Sequence, residues 1–210
     1  MAAGLKIGHN RRAMACAAEI GTASSIIKGF RVYGPRINCA GVPTGIGAYM
    51  AVEIEAALKA WFADAKKVVV AGIGNSIRSD DYVGLKIVQG LQGRLRENVL
   101  LLECETVPES YLFDIEKYQP TNVLLIDAGI LLSKPGEASL VDACVVENFS
   151  AVSSHILPLK VFCGYVQAVT GAKIGLLLVE PGSMEFGEGL TVEVQAAAEK
   201  LTKVLLNLLG

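Results

Sequence analysis

The sequence predicts an α/β fold, in which one mostly parallel, five-stranded twisted sheet carries helices on both faces. Short apolar runs alternate along the chain with segments of helical periodicity, an order typical of parallel sheets covered by helices. The runs are almost continuously apolar, as expected for strands buried on both faces. With 52% hydrophobic and 19% charged residues among 210, the chain can bury a core of ordinary domain size.

The individual elements follow from apolar periodicity and from glycine or proline breaks. After a first helix over residues 51–64, strands are expected at 68–73, 99–105, 122–128, 138–146 and 174–180. Further helices are expected at 82–97, 108–118, 158–170 and 188–209. The link between the third and fourth strands is short and contains a Lys-Pro-Gly turn, which favours a hairpin. One antiparallel strand is therefore expected.

The first 49 residues differ from the remainder in charge and regularity. They contain six basic residues and one acidic residue, and they are rich in glycine. We interpret residues 1–49 as an N-terminal extension and residues 50–210 as the α/β domain, and expect the extension to be dispensable. The pair Arg11-Arg12 suggests an export signal, but the apolar stretch behind it is short and ends at Glu19. An overlong reading of the gene, with the start at Met50, would give the same pattern.

Composition excludes several classes of function. The net charge of −2 gives no general attraction to nucleic acid or anionic membranes, and no apolar run approaches the ~20 residues of a spanning helix. The cysteines form no C-x-x-C pair and are expected to be reduced, buried thiols: Cys16, Cys39, Cys104, Cys144 and Cys163. Reduced cysteines favour a cytoplasmic protein. We also expect a monomer.

Polar residues follow the predicted strands where ligands gather in open α/β sheets, beyond the carboxyl ends. The candidates are Asp80 and Asp81 after the first strand, Asp127 after the third, Glu180 after the fifth, and His155. Two carboxylates and one imidazole suit a divalent ion such as zinc, manganese or nickel, with coordination positions left open. Such a site at a surface edge would tolerate substitution with little loss of stability.

Structural roles are the alternatives for the same residues. Asp80 fits the N-cap of the following helix, so Asp80→Asn is expected to be mild. Asp81 could complement the helix dipole, Asp127 could cap a loop, and His155 could be a core histidine. Catalysis by a serine nucleophile is disfavoured, because the sequence contains no G-x-S-x-G motif. A catalytic pair of Cys163 and His155 is conceivable, but no neighbouring residue in the sequence indicates that the Cys163 thiol is activated.

A dinucleotide site is disfavoured by the same glycine turn that suggests it. The turn after the first strand begins as G-x-G, but Ile77 stands where the third glycine of a G-x-G-x-x-G motif belongs. The adjacent acids Asp80 and Asp81 would also repel a pyrophosphate. A cation is the better ligand for this turn.

Three segments resemble motifs of the hydrogenase maturation proteases. They are GIGNSIRSDDYVG at residues 72–84, PTNVLLIDAG at 120–129 and SSHILPL at 153–159, in matching order across about residues 66–205. The resemblance implies a catalytic and metal-binding trio on Asp81, Asp127 and His155. We also assign the glycine-asparagine turn, formed by Gly72, Gly74 and Asn75, to contact with the bound cofactor. Tyr82-Val83 departs from relatives that have glycine directly after the acids.

The resemblance also implies an activity and a partner. It implies an endopeptidase that removes the C-terminal extension of a nickel-iron hydrogenase large-subunit precursor after nickel insertion. The nickel would be presented by the precursor, with zinc or another divalent metal as the alternative. A non-enzymatic, nickel-binding checkpoint module would need the same ligands. Without a thiolate ligand, weak affinity for free nickel or zinc is expected.

Overall fold

The computed structural model describes residues 24–27, 30–33, 46–143 and 156–210, and these form seven strands and five α-helices. The strands are β1 (Ser24–Ile27), β2 (Phe30–Tyr33), β3 (Val68–Ile73), β4 (Val99–Glu105), β5 (Asn122–Ala128), β6 (Ala138–Asp142) and β7 (Lys173–Val179). The helices are α1 (Ile46–Trp61), α2 (Val83–Leu91), α3 (Leu112–Tyr118), α4 (Ile156–Thr170) and α5 (Val192–Leu209). Short 3₁₀ helices at Ser79–Tyr82 and Pro108–Tyr111 precede α2 and α3.

The strands form one sheet in the order β1-β2-β6-β7-β5-β3-β4. Strands β7, β5, β3 and β4 run parallel, and β6 is antiparallel to β7. The predicted five-stranded, mostly parallel sheet with one antiparallel strand is therefore confirmed. The predicted hairpin between β5 and β6 is wrong, because β5 is already paired with β3 and β7 on its two sides.

Two further strands extend the sheet at its β6 edge. Strands β1 and β2 form an antiparallel pair, and Val32 of β2 is aligned with Val141 of β6. The sequence predicts no strand in this segment. Helix α1 begins at Ile46, so the domain boundary expected at residue 50 falls inside that helix. The dispensability of residues 1–49 stays a prediction.

Buried side chains alternate between the two faces of the sheet. In β5, Val123 and Leu125 join the core under α3 and α4, whereas Leu124 and Ile126 join the core under α1, α2 and α5. All seven residues of β5 are buried, as expected for a central strand covered by helices on both faces. Among the described helices, none is long and apolar enough to cross a membrane.

The predicted bounds of β3, β4 and β5 match the structure, and most differences fall at helix ends. Helix α2 ends at Leu91, six residues early, because Gln92 is extended and Gly93 adopts a φ of +67°. Helix α5 begins at Val192, four residues after its predicted start at residue 188. Strand β6 ends at Asp142, and residues 144–146 of its predicted span lie outside the described ranges.

Candidate active site

The turn that carries Asp81 lies directly on the ends of two neighbouring strands. A Cβ on Gly84 would stand 2.3 Å from the Ile73 oxygen of β3 and 2.2 Å from the Ile126 oxygen of β5. Gly74 has a φ of +139°, and a Cβ there would stand 1.7 Å from the Asp81 carbonyl oxygen. Neither position leaves room for a side chain. The glycines thus allow the chain to fold back over the carboxyl edge of the sheet.

Asp81 and Asp127 are consequently brought to the same edge. Asp127 directly follows Ile126, whose carbonyl faces Gly84, and Asp81 is three residues before that glycine. Asp81 is 2% exposed and Asp127 is fully buried. An Asp127 carboxylate oxygen accepts a hydrogen bond of 2.8 Å from the Ala128 amide. Both acids are buried, so our expectation that the site lies at a surface edge and outside the core is wrong for these two residues.

The third member of the predicted trio, His155, lies outside the described residues. It immediately precedes α4, which begins at Ile156. Within the described part of the chain, no group of three or more His, Cys, Asp and Glu side chains could hold a metal ion. The shared metal site of Asp81, Asp127 and His155 therefore stays a prediction.

The glycine-asparagine turn has a structural role beside the predicted cofactor contact. A Cβ on Gly72 would stand 2.4 Å from the Gly84 oxygen, so this glycine admits the chain that leads into α2. The Asn75 side-chain oxygen accepts a hydrogen bond of 3.1 Å from the Ile77 amide and closes a local turn. Contact of Gly72, Gly74 and Asn75 with a bound cofactor stays a prediction.

Asp80 does not cap its own helix as the sequence analysis allowed. It lies inside the 3₁₀ helix Ser79–Tyr82, is fully buried, and binds chain segments more than 100 residues away. Its Oδ2 accepts hydrogen bonds from the amides of Gly182 at 2.8 Å and Ser183 at 2.9 Å and from the Thr191 hydroxyl at 2.9 Å. Its Oδ1 accepts one from the Thr191 amide at 2.7 Å. Thr191 is the N-cap residue of α5, so Asp80 joins the first acidic turn to a distant helix start.

Glu180 makes a second connection between loops at this edge. It is 8% exposed, and its Oε2 accepts hydrogen bonds from the Leu131 amide and, at 3.2 Å, from the Ser133 amide. These donors belong to the loop that follows Asp127. From the sequence, Glu180 is a candidate only because it lies at the end of a predicted strand. Its partners 47 and 49 residues away leave no local pattern that would have revealed that role.

The loop over residues 181–191 is also joined to the acidic turn through its backbone. The Ser79 amide donates to the Gly187 oxygen at 2.8 Å, and the Gly187 amide donates to the Ile77 oxygen at 3.0 Å. The Arg78 guanidinium donates to the Met184 oxygen at 3.1 Å and stands 5.7 Å from the ring centre of Phe186. This loop is consequently fixed against the turn that carries Asp81.

Large apolar side chains are exposed on the loops of the carboxyl edge. Phe186 and Leu132 are each 80% exposed, and Ile77 and Ile130 are at least half exposed. Each of the three loops that follow β3, β5 and β7 carries at least one of them. Exposed apolar groups gathered on neighbouring loops are typical of surfaces that meet another molecule.

The two described cysteines are buried thiols. Neither Cys104 nor Cys163 forms a disulfide. Burial, with a smaller contribution from the negative charge of Glu109, raises the pKa of Cys104 to about 12. The thiol of Cys104 is therefore protonated and unreactive at neutral pH. The expectation of buried, reduced cysteines is confirmed for these two, and Cys16, Cys39 and Cys144 lie outside the described residues.

The fold and the site together define a class of α/β proteins with buried acids on the loops that follow parallel strands. Comparison with known proteins identifies the family within that class. The family model of the hydrogenase maturation proteases matches residues 85–208. A Methanocaldococcus jannaschii protein assigned to these proteases is 30% identical over 152 residues, which cover 69% of this chain and 89% of the relative.

Solved structures of this family share the fold. The crystal structure of a nickel-iron hydrogenase maturation protease from Thermococcus kodakarensis is 30% identical, with a TM-score of 0.67, and covers 72% of this chain and 97% of its own. The Escherichia coli hydrogenase maturating endopeptidase is 28% identical, with a TM-score of 0.58, over 68% and 92% of the two chains. The chain belongs to the hydrogenase maturation protease family. It is accordingly a hydrolase of the peptidase class.

Proposed function

We propose that the chain removes the C-terminal extension of a nickel-iron hydrogenase large-subunit precursor after nickel has been inserted. The observation that carries this proposal is the pair of buried carboxylates, Asp81 and Asp127, on the ends of neighbouring strands in a chain of this peptidase family. With His155 they would engage the nickel ion that the precursor presents. The ion belongs to the substrate, so its presence reports that the precursor is loaded.

The chemistry of the donor set supports this engagement. Carboxylate oxygens and an imidazole nitrogen suit borderline divalent ions, and three protein ligands leave positions for the groups that the precursor itself provides. Burial of Asp81 and Asp127 lowers the local dielectric constant and strengthens their attraction to a cation. Zinc or another divalent ion could be engaged by the same residues.

Peptide hydrolysis requires a water molecule and a group that takes its proton. A metal ion near the scissile bond can polarise the peptide carbonyl. Either Asp81 or Asp127 is a suitable proton acceptor, because each is a carboxylate held in a fixed, water-poor position. The exposed apolar side chains on the surrounding loops provide contact area for a protein substrate.

We place the reaction in the cytoplasm. The support is the state of the cysteines: within the described part of the chain, neither Cys104 nor Cys163 forms a disulfide. Free cysteines are the rule in reducing compartments.

The test uses nickel-loaded and nickel-free precursor, isolated from cells of the source organism that lack the protease gene. Incubation with the full chain should shorten the loaded precursor, measured as the mass of the large subunit, and leave the nickel-free precursor intact. An unchanged mass of the loaded precursor, together with binding to it, would replace the protease with a checkpoint module. Cleavage of both forms at the same rate would remove the recognition of nickel. Asp64→Asn, which alters an exposed acid in the loop before β3, is the matched control.

A further inference from the structure

We propose that Asp80 is a positioning residue, which holds the turn of Asp81 in its working position by binding the loop of residues 181–191. The proposal rests on the proposed function, because it concerns the rate of the same cleavage. Asp80 itself is fully buried and is directed into the protein, toward the start of α5. It therefore acts through Asp81 and does not touch the substrate.

The hydrogen bonds of Asp80 require a carboxylate. Its two oxygens accept four hydrogen bonds, three from main-chain amides and one from the Thr191 hydroxyl. An asparagine would have one acceptor oxygen and an amide group that donates. Whichever way this amide is turned, its hydrogens would face either the Thr191 amide or the amides of Gly182 and Ser183. At least one buried donor would then lose its acceptor.

Asp80 transmits this constraint to Asp81 through the backbone that they share. The Asp80 amide donates to the Ser183 oxygen at 3.1 Å, and the Asp81 amide donates to the Arg78 oxygen at 3.0 Å. The Asp81 carbonyl lies so close to Gly74 that a Cβ there could not be accommodated. With so little free space, a shift of Asp80 must move Asp81 as well.

The same loop connects to the other acid. Glu180, which directly precedes the loop, binds the amides of Leu131 and Ser133 on the segment after Asp127. Residues 180–191 thus join the segments that carry Asp81 and Asp127. If the hydrogen bonds of Asp80 were weakened, the loop would still bind the segment after Asp127 but would no longer hold the turn that carries Asp81.

Thr191 offers a milder variant pair that keeps the proposal testable if Asp80→Asn fails to fold. Thr191→Val keeps the size and the main-chain amide but removes the hydroxyl that donates to Asp80. Thr191→Ser keeps that hydroxyl. Thr191→Val exchanges the hydroxyl for a methyl group, whereas Thr191→Ser removes a methyl group and keeps the hydroxyl, so a loss seen only in Thr191→Val reports on the hydrogen bond to the Asp80 carboxylate.

The experiment measures kcat and KM per folded molecule on the nickel-loaded precursor for the full-length chain and its variants. Asp80→Asn should lower kcat about 100-fold with KM nearly unchanged, the effect expected of a displacement near 1 Å. Thr191→Val should lower kcat by up to about tenfold, one hydrogen bond being removed, and Thr191→Ser should restore it. Asp64→Asn should match the wild-type chain.

Hydrogen exchange provides a readout that is independent of catalysis. The amides of Gly182, Ser183 and Thr191 should exchange faster in Asp80→Asn, while those of Leu131 and Ser133 stay protected. Faster exchange at the first three amides with a wild-type kcat would overturn the proposal, since Asp80 would then support the fold alone. Equal kcat in Thr191→Val and Thr191→Ser would overturn it as well. A wild-type chain that leaves the loaded precursor uncut would instead overturn the proposed function.

Discussion

The two ends of the parallel strands, here called the carboxyl edge and the amino edge of the sheet, differ in which side chains are buried. At the carboxyl edge, acids are buried and large apolar side chains are exposed, with Asp80 and Phe186 as the clearest cases. At the amino edge, charges are exposed, as in the ion pair of Asp64 and Lys173, and the buried polar residue Asn122 is a neutral amide. All four buried acids of the described chain, namely Asp80, Asp81, Asp127 and Glu180, lie at the carboxyl edge.

At the amino edge, neutral side chains satisfy the backbone groups of the loops. Thr121 Oγ1 accepts hydrogen bonds from the amides of Lys66 at 2.9 Å and Lys67 at 3.3 Å, and the Asn98 side chain donates to the Lys66 oxygen at 2.7 Å. A neutral hydroxyl and a neutral amide form hydrogen bonds with the backbone of the loops there, and burying neutral groups costs little desolvation free energy. The carboxyl edge instead buries four acids, and burying a carboxyl group costs more free energy than burying a neutral amide or hydroxyl.

Asp127→Asn is the change expected to alter the carboxyl edge most. Removal of the charge should lower cleavage of the nickel-loaded precursor by roughly 10²–10⁴-fold, the usual contribution of a positioned acid or base. Folding should be retained, because the side chain keeps its size. The measurement is the mass of the large subunit over time, with thermal unfolding in parallel. Cleavage at the wild-type rate would remove Asp127 from the active site.

Asp80→Asn tests the buried acid that lies outside the proposed trio. It should lower the free energy of unfolding by about 1–3 kcal/mol, because a buried donor loses its acceptor. This reverses the mild effect expected of a helix cap. Urea unfolding provides the measurement, and Asp64→Asn at the amino edge should change the value by less than about 0.5 kcal/mol. An equal loss of unfolding free energy in Asp80→Asn and Asp64→Asn would contradict the proposed difference between the carboxyl edge and the amino edge.

Thr121→Val separates stability from activity at the amino edge. The variant removes the acceptor for the Lys66 and Lys67 amides and should cost about 0.5–1.5 kcal/mol of unfolding free energy. Its kcat/KM per folded molecule should equal that of the wild-type chain. Reduced cleavage at full folding would show that the two edges are functionally coupled.

Phe186→Ser should have the smallest effect, on substrate affinity alone. Because Phe186 is 80% exposed, its loss should leave the unfolding free energy within about 0.5 kcal/mol of wild type. If the precursor contacts this edge, KM should rise about fivefold, an effect near 1 kcal/mol. Tyr165→Ser, in α4 and outside the loops that follow β3, β5 and β7, is the control at another exposed aromatic residue. An equal KM for all three proteins would exclude Phe186 from the contact.

Sequence patterns were sufficient for the parts of the molecule that depend on local order. The buried apolar runs of β3, β4 and β5 have exact predicted bounds, because continuous apolar segments between glycine and polar breaks are unambiguous. The position of β7 between β5 and β6 was missed, since strand pairing depends on contacts distant in the sequence. Strands β1 and β2 lie in a segment without a clear apolar period.

In the candidate site too, some residues could be found from the sequence and the role of another could not. Asp81 and Asp127 were found because each follows a recognisable strand and belongs to a motif with a family resemblance. The role of Asp80 was misjudged, because its position next to a helix suggested a local cap while its partners are 102 to 111 residues away. No periodicity or spacing in a single sequence encodes such a contact.

The central place of β7 has a consequence for the order in which the protein is made. Strand β7 comes after all the other described strands in the sequence, and the residues that donate hydrogen bonds to Asp80 come later still. Strand β7 is nevertheless paired on both sides within the sheet. A nascent chain that ends before residue 173 lacks one of the two strands that pair with β5, and it lacks every residue that donates a hydrogen bond to the Asp80 side chain. The turn that carries Asp81 can therefore be fixed in place only after residues 173–191 have been synthesised.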